Sequence, residues 1–293
     1  MVKRMGGRRV RKALEHLREC EKLEAIHEVR KDIKQLRALL RLVREAMPKS
    51  EYRSCSRLLR KAGKKLGVAR DAHVKLNALA TLVAHYAGEV PPRALATIRG
   101  LLAADCRKEQ LRLSQTRAPK KVCRLLRALC RDDDSFRIKK SGWAALGPGI
   151  QRSYGRGRCA YALAHKTGKA EDFHEWRKRA KDLYYQIGLL EPIWPEQLGA
   201  AEAELKNLTE CLGDDHDLFL LTEPSATKRF NAQAPHEAAA LGRLVAKRQR
   251  DLRACALALG MTFYREQPSI FCNRLGQYWH RWRHKSKGTS VAA

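Results

Sequence analysis

The sequence predicts an all-α protein made of two pseudo-symmetric helical bundles, each of about four main helices. Three observations carry that expectation. Strand signals are nearly absent, with few β-branched runs, little period-two alternation and no Asn-Gly turn. Apolar residues recur at helical spacing almost throughout. Two stretches about 147 positions apart repeat one another, which is the mark of a duplicated unit.

The clearest helix runs from Leu23 to Met47, where Ile26, Val29, Ile33, Leu36, Leu40, Val43 and Met47 alternate three and four apart. That spacing lays one apolar stripe along a helix, and Pro48 ends it. Further helices fall at roughly 52–66, 69–87, 92–116, 119–131, 143–166, 172–191, 196–212, 234–265 and 268–284. Breaks are expected at Pro91-Pro92, Pro119, the loop Asp132–Asp134, Gly168, Pro192 to Pro195, Pro224 and Pro268.

The repeat aligns HEVRKDIKQLRALLRLVREAMP from His27 with HEWRKRAKDLYYQIGLLEPIWP from His174. Downstream, LGVARD from Leu66 is echoed by LGDDHD from Leu212, at an offset of 146. Two elements in the same order at nearly one offset divide a single domain over 1–293 into units 20–146 and 147–285. Residues 286–293 read as a disordered tail, and a basic groove is expected between the units.

Composition narrows the function. Sixty Lys and Arg oppose thirty-one Asp and Glu, a formal net charge of +29, while 44% hydrophobic residues suffice for a sizeable core and argue against disorder. Such an excess invites a polyanion: nucleic acid, an anionic membrane surface or a polyphosphate chain. Residues 1–150 hold 37 basic and 15 acidic side chains (+22), against 23 and 16 (+7) in 151–293, so the first unit has most of the anion-binding potential. No run of about 18 apolar residues is present to span a membrane. The nine cysteines are scattered, without a C-x-x-C, and read as reduced, mostly buried thiols in a cytoplasmic protein.

Beside the apolar stripe of the first repeated helix lies a basic one: His27, Arg30, Lys34, Arg37, Arg41 and Arg44. Each is one step, about 100°, from an apolar neighbour, and the strip is roughly 25 Å long. Basic helix residues usually form a solvated face, but here acidic i,i+4 partners are missing and the strip borders the core side. It recurs, shortened, as His174, Arg177 and Lys181 beside Phe173, Trp176, Ala180, Leu183 and Ile187. Tyr184 and Gly188 stand where Arg37 and Arg41 stood, so the two halves are unequal. The next helix adds Arg57, Arg60, Lys61 and Lys64 as an opposite bank, with Lys206 in the second unit.

His27 and His174 each have Arg and Lys at the following turn, which suits a structural role or a phosphate donor better than a zinc ligand. His216-Asp217 resembles a metal-phosphohydrolase pair, yet the same slot in the first unit is Arg70-Asp71. Asp71 and Asp217 are expected to cap a helix or to orient a basic side chain. No G-x-x-x-x-G-K-[ST] loop is present for nucleotide hydrolysis. Aromatic residues make up only 6%, with Trp143, Trp176 and Trp194 at core or turn positions, so stacking on single-stranded nucleic acid lacks its platform.

Together these motifs resemble the conserved histidine α-helical domain, or CHAD, family. The likeness rests on HEVRKDIKQLR from His27, LGVARDAH from Leu66, HEWRKRAKDLY from His174, LGDDHD from Leu212 and the stretch Gly149 to Tyr161, and covers roughly residues 20–285. The resemblance implies a pair of pseudo-symmetric four-helix bundles that bind inorganic polyphosphate along a basic central surface, with no enzymatic step and no cofactor. Family members are associated with polyphosphate granules in bacteria. His27, Arg30, Lys34, Arg37, Arg41, His174, Arg177 and Lys181 would inherit the binding role. A non-specific nucleic-acid-associated protein is the alternative, and a metal-dependent phosphohydrolase the more remote one.

Overall fold

The computed structural model describes residues 2–19, 23–89, 91, 93–129, 137–191 and 195–288, and among these it is all-α with no strand. The Asp132–Asp134 loop, Pro92 and Trp194 lie outside the described residues, as do residues 289–293 of the tail. Twelve α-helices follow one another: α1 (Val2–His16), α2 (Leu23–Leu42), α3 (Lys49–Lys65), α4 (Gly67–His85), α5 (Ala96–Gln115), α6 (Ala118–Ala128), α7 (Trp143–Thr167), α8 (Ala170–Leu190), α9 (Pro195–Leu221), α10 (Pro224–Gln233), α11 (Pro235–Phe263) and α12 (Pro268–Gly288).

The stripes read from the sequence are buried. Ile26, Val29, Ile33, Leu36, Leu40, Val43 and Met47 line the inner face of α2 and the turn after it, and Phe173, Trp176, Ala180, Leu183 and Ile187 that of α8. Each fully buried Leu, Ile or Phe contributes about 2 kcal/mol by leaving water. The two helices pack on each other near the middle of the fold. Gln186 of α8 donates to the Ala38 carbonyl of α2 at 3.0 Å, and Asp182, one turn earlier on α8, accepts from Arg41 further along α2. The pair therefore runs antiparallel where the two helices meet.

Around it, α1, α3 and α7 pack on α2, while α7 and α9 pack on α8. One apolar cluster takes residues from α1–α3, α6–α9, α11 and α12. A second joins Leu79 and Leu82 of α4 and Ile98 and Leu102 of α5 to Leu218, Leu221, Phe230, Leu241 and Val245 of α9–α11. Both clusters draw on residues from before and after position 146.

Several features differ from the sequence reading, among them helix α10 (Pro224–Gln233), which it did not expect. The first helix, α1, is absent from the sequence reading: among its many arginines Val10 and Ala13 are buried, and Leu17 in the 3₁₀ turn that follows continues their stripe. Its polar side is tied down by Asp32, which accepts from Arg9 at 3.2 Å and meets His16 at 2.8 Å. Helix α9 does not end at Leu212 but runs on to Leu221, because Leu218 and Leu221 continue its stripe into the second cluster. Of the cysteines whose side chains are described, only Cys55 and Cys272 are buried.

The packing of α7 on α2 is unusually close. Gly149 sits against the end of α2, where a Cβ would overlap the Leu42 carbonyl oxygen. Gly149, Ser153 and Gly157, four apart, form a buried small-residue stripe, in which Gly149 admits the end of α2 and Gly157 the Tyr264 ring. Gly168 ends α7 in the left-handed conformation, at φ 66°, which glycine adopts without strain.

Candidate functional site

The close approach of α7 brings arginines from several elements together. Arg41 at the end of α2, Arg44 in the 3₁₀ turn Arg44–Ala46, Arg152 and Arg156 of α7 and Arg179 of α8 line one narrow cleft of about 30 Å³, with Tyr52, Ser153 and Asp182. Arg152 donates to the Arg41 carbonyl and pairs with Glu45. Arg44 lies 5.3 Å over the Tyr52 ring. Arg41 pairs with Asp182, whose side chain is only 17% exposed. Arg37 lies half-buried beside this group and feels the charges of Arg41, Asp182 and Arg60.

The electrostatics show crowding of like charge. Burial, followed by the charges of Arg44, Arg156 and Arg41, pushes the Arg152 guanidinium down to about 10. Burial and then Arg41 lower Arg37, against the opposing pull of Asp182. The Asp182 carboxyl is itself raised, because burial outweighs the stabilising charges of Arg41, Arg37 and Arg179. Asp182 pairs with Arg41, Glu45 with Arg152 and Glu175 with Arg179, so the carboxylates offset part of the charge and leave Arg37, Arg44 and Arg156 in excess. Planar Arg forks of this kind suit phosphate oxygens.

The remaining residues of the α2 strip part company with this group. Arg30 is half-buried and donates to the Gly63 carbonyl of α3 at 2.9 Å. Lys34 is half-buried between Arg30 and Arg37, and His27 is exposed at the far end of α2. There it lines a different cavity, of about 420 Å³, with His73, Asp214, Asp217, Arg248 and Leu252. Fourteen residues of helix, about 21 Å, separate it from Arg41. Arg57, Arg60, Lys61 and Lys64 of α3 all point to solvent, as does Lys206 of α9.

On α8, His174 meets His216 with their Nδ1 atoms 3.0 Å apart. Lys181 donates to Thr209 Oγ1 at 3.1 Å and lies 5.0 Å over the Tyr184 ring. Arg177 lies close enough to Lys181, His174 and Asp214 to act on the ionisation of all three. Asp71 and Asp217 lie inside α4 and α9, so neither caps a helix. Asp217 acts instead on the Lys181 ammonium. Among the described residues no group of three or more His, Cys, Asp and Glu is placed to hold a metal ion, and no described helix is long and apolar enough to cross a membrane.

Arg152, Arg156, Arg179, Tyr52 and Asp182 are absent from the strips read in the sequence. A signal for the first two exists: each immediately precedes a member of the stripe Gly149, Ser153, Gly157, and so flanks the face that α7 buries. Nothing in the local pattern of α8 distinguishes Arg179 from its exposed basic neighbour Lys178.

The CHAD domain family model matches residues 8–226. The chain belongs to the CHAD domain family. Among solved structures it is similar to the CHAD domain from the plant Ricinus communis, with a TM-score of 0.62 and 18% identity, covering 87% of this chain and 89% of that one. It is also similar to PptA from Streptomyces chartreusis, with a TM-score of 0.60 and 14% identity, covering 88% and 95%. No curated protein sequence matches it. At these identities the structural likeness establishes the fold of this CHAD domain, and the side chains of its clefts must be read from its own residues.

Burial, then Lys178 and Arg177, lower His174 below its ordinary 6.5. The Nδ1–Nδ1 approach acts in the same direction, since one nitrogen must stay unprotonated to accept. A depressed histidine contributes stability that is fully present above the unfolded value and is lost as pH falls through the folded one. Thermal melts from about pH 7.5 to about pH 5 should therefore show His174→Gln losing less stability on acidification than the parent chain. Parallel pH profiles would contradict the assignment.

Proposed function

We propose that this CHAD domain binds inorganic polyphosphate through the arginine cleft at the junction of α2, α7 and α8, and that it does so without chemistry. The family is associated with polyphosphate binding. The observation that carries the reading for this chain is the gathering of Arg41, Arg44, Arg152, Arg156 and Arg179 in one cleft, with Arg37 alongside, offset only in part by Asp182, Glu45 and Glu175. Partly desolvated like charges raise the free energy of the empty cleft, and a bound polyanion reverses that cost.

Polyphosphate fits for two reasons. It carries closely spaced phosphoryl oxygens, which guanidinium forks bind in pairs. It is also thin and has no bases, so it enters a narrow cleft in single file and needs no aromatic platform. Arg60 of α3, whose charge reaches Arg37, extends the path from the cleft toward solvent and toward Arg57, Lys61 and Lys64. Lys34 continues it along α2, while Lys181, Arg177 and His174 of α8, with Lys206 of α9, supply a second and weaker stretch. That stretch is weaker because Lys181 is already engaged by Thr209. On this reading the two repeated units arose by duplication and the protein acts in the cytoplasm at polyphosphate granules.

The test is a calorimetric titration with polyphosphate of defined length at near-physiological salt, run beside duplex DNA of equal charge. Markedly tighter binding of polyphosphate is the expected result, because a stiff duplex does not enter the cleft. Equal or tighter binding of the duplex would reduce the +29 charge to a general attraction for polyanions and favour the nucleic-acid reading.

A further inference from the structure

Away from the arginine cleft, α9 and α11 bring two thiols together. Cys211 and Cys255 lie with their Sγ atoms 3.3 Å apart, although 44 positions separate them in sequence. Cys255 is exposed and Cys211 half-buried. Nothing in the binding reading uses either residue. We infer that Cys211 and Cys255 form an oxidant-sensitive pair that closes to a disulfide linking α9 to α11 when the protein meets a peroxide.

The geometry makes the step short. A disulfide holds its sulfurs about 2.05 Å apart, so only about 1.3 Å of further approach is needed, within reach of side-chain rotation. The chemistry divides between the two residues by exposure. The exposed Cys255 thiolate attacks a peroxide oxygen, the O–O bond breaks, and Cys255 becomes a sulfenic acid while hydroxide leaves and takes up a proton. Cys211 sulfur then attacks the Cys255 sulfur, forming the S–S bond and expelling the sulfenic oxygen as a second water, with the Cys211 proton going to that water. One peroxide is reduced to two waters and two thiols are oxidised to one disulfide.

The surroundings support this order. The Cys211 thiol is pushed up to about 12, by burial first and then by its hydrogen bond to Cys255 and the Cys255 charge. Oxidising Cys255 to the neutral sulfenic acid removes its thiolate charge, so Cys211 becomes easier to deprotonate at the stage where it must attack. Cys159, a free and exposed cysteine outside this pair, is an internal comparison.

The test uses the full chain, treated with hydrogen peroxide, alkylated and digested with trypsin. Cys211 and Cys255 fall on separate peptides, 207–228 and 254–265, each with no other cysteine. The expected product is these two peptides joined, about 2 Da lighter than their sum, and separated again by dithiothreitol. In the Cys211→Ser variant, Cys255 should instead accumulate as sulfinic acid, having no resolving partner. Failure of the joined peptide to form, with Cys211 still fully alkylated after Cys159 has been oxidised, would overturn the inference. This outcome is independent of whether polyphosphate binds.

Discussion

Neutralising Arg37 and Arg156 together, as R37Q/R156Q, should lower polyphosphate affinity about 100-fold at near-physiological salt, since a hydrogen bond to a charged group is worth about 1.5–3 kcal/mol and ~1.4 kcal/mol is a factor of ten. Neither arginine has a direct ion pair among the described residues, so their replacement strands no carboxylate. Arg41 is the wrong residue to change: reversing its charge would set a new carboxylate against Asp182, whose side chain is 17% exposed, and would confuse folding with binding. Salt dependence supplies a second readout. By analogy with single-stranded nucleic acid, the log–log slope should become shallower by roughly 0.7 for each phosphate that the variant no longer neutralises. Replacing Arg177 and Lys181 by alanine should weaken binding less, because Thr209 already engages Lys181. If R37Q/R156Q binds as the parent chain does while its helicity is unchanged, the arginine cleft is a solvated charge cluster and the proposed site fails.

What could be read from the sequence, and what could not, follows from the range of each interaction. The faces of α2 and α8 were legible because burial writes a period of three and four into the chain, and every residue of both stripes is buried. The strip from His27 to Arg44 was legible as a row of cations for the same reason. Its fate was not. Arg30 is directed at the Gly63 carbonyl and Arg41 at Asp182, 141 positions away, while His27 opens into another cavity altogether. A helical period records which face a residue occupies, not which partner a neighbouring helix brings to it. Arg152 and Arg156 escaped because their role is set by how closely α7 approaches α2, and a glycine in sequence does not say what it approaches. Helix α1 escaped for another reason: its apolar residues are few and set among many arginines, yet Asp32 and α2 hold the helix in place.

The close approach of α7 to α2 should make Gly149→Ala costly. An added Cβ meets the Leu42 carbonyl, which is backbone at the end of α2 and cannot rotate away as a side chain would. Overpacking costs about 1–3 kcal/mol where side chains can adjust, and an immovable obstacle places this site at the upper end. The helix-propensity gain of alanine over glycine, about 1 kcal/mol, offsets only part of that cost. A net destabilisation of about 2 kcal/mol corresponds to a melting temperature lower by roughly 4–8 °C for a domain of this size. Gly199→Ala provides the control, because a Cβ there meets nothing within 4 Å. It should raise stability by a few tenths to about 1 kcal/mol. The binding consequence separates structure from site. Pushing α7 away from α2 withdraws Arg152 from the Arg41 carbonyl and widens the cleft, so Gly149→Ala should also lose polyphosphate affinity at temperatures where it remains folded. A variant that melts early yet binds normally would show that the spacing of these arginines does not depend on how α7 packs on α2.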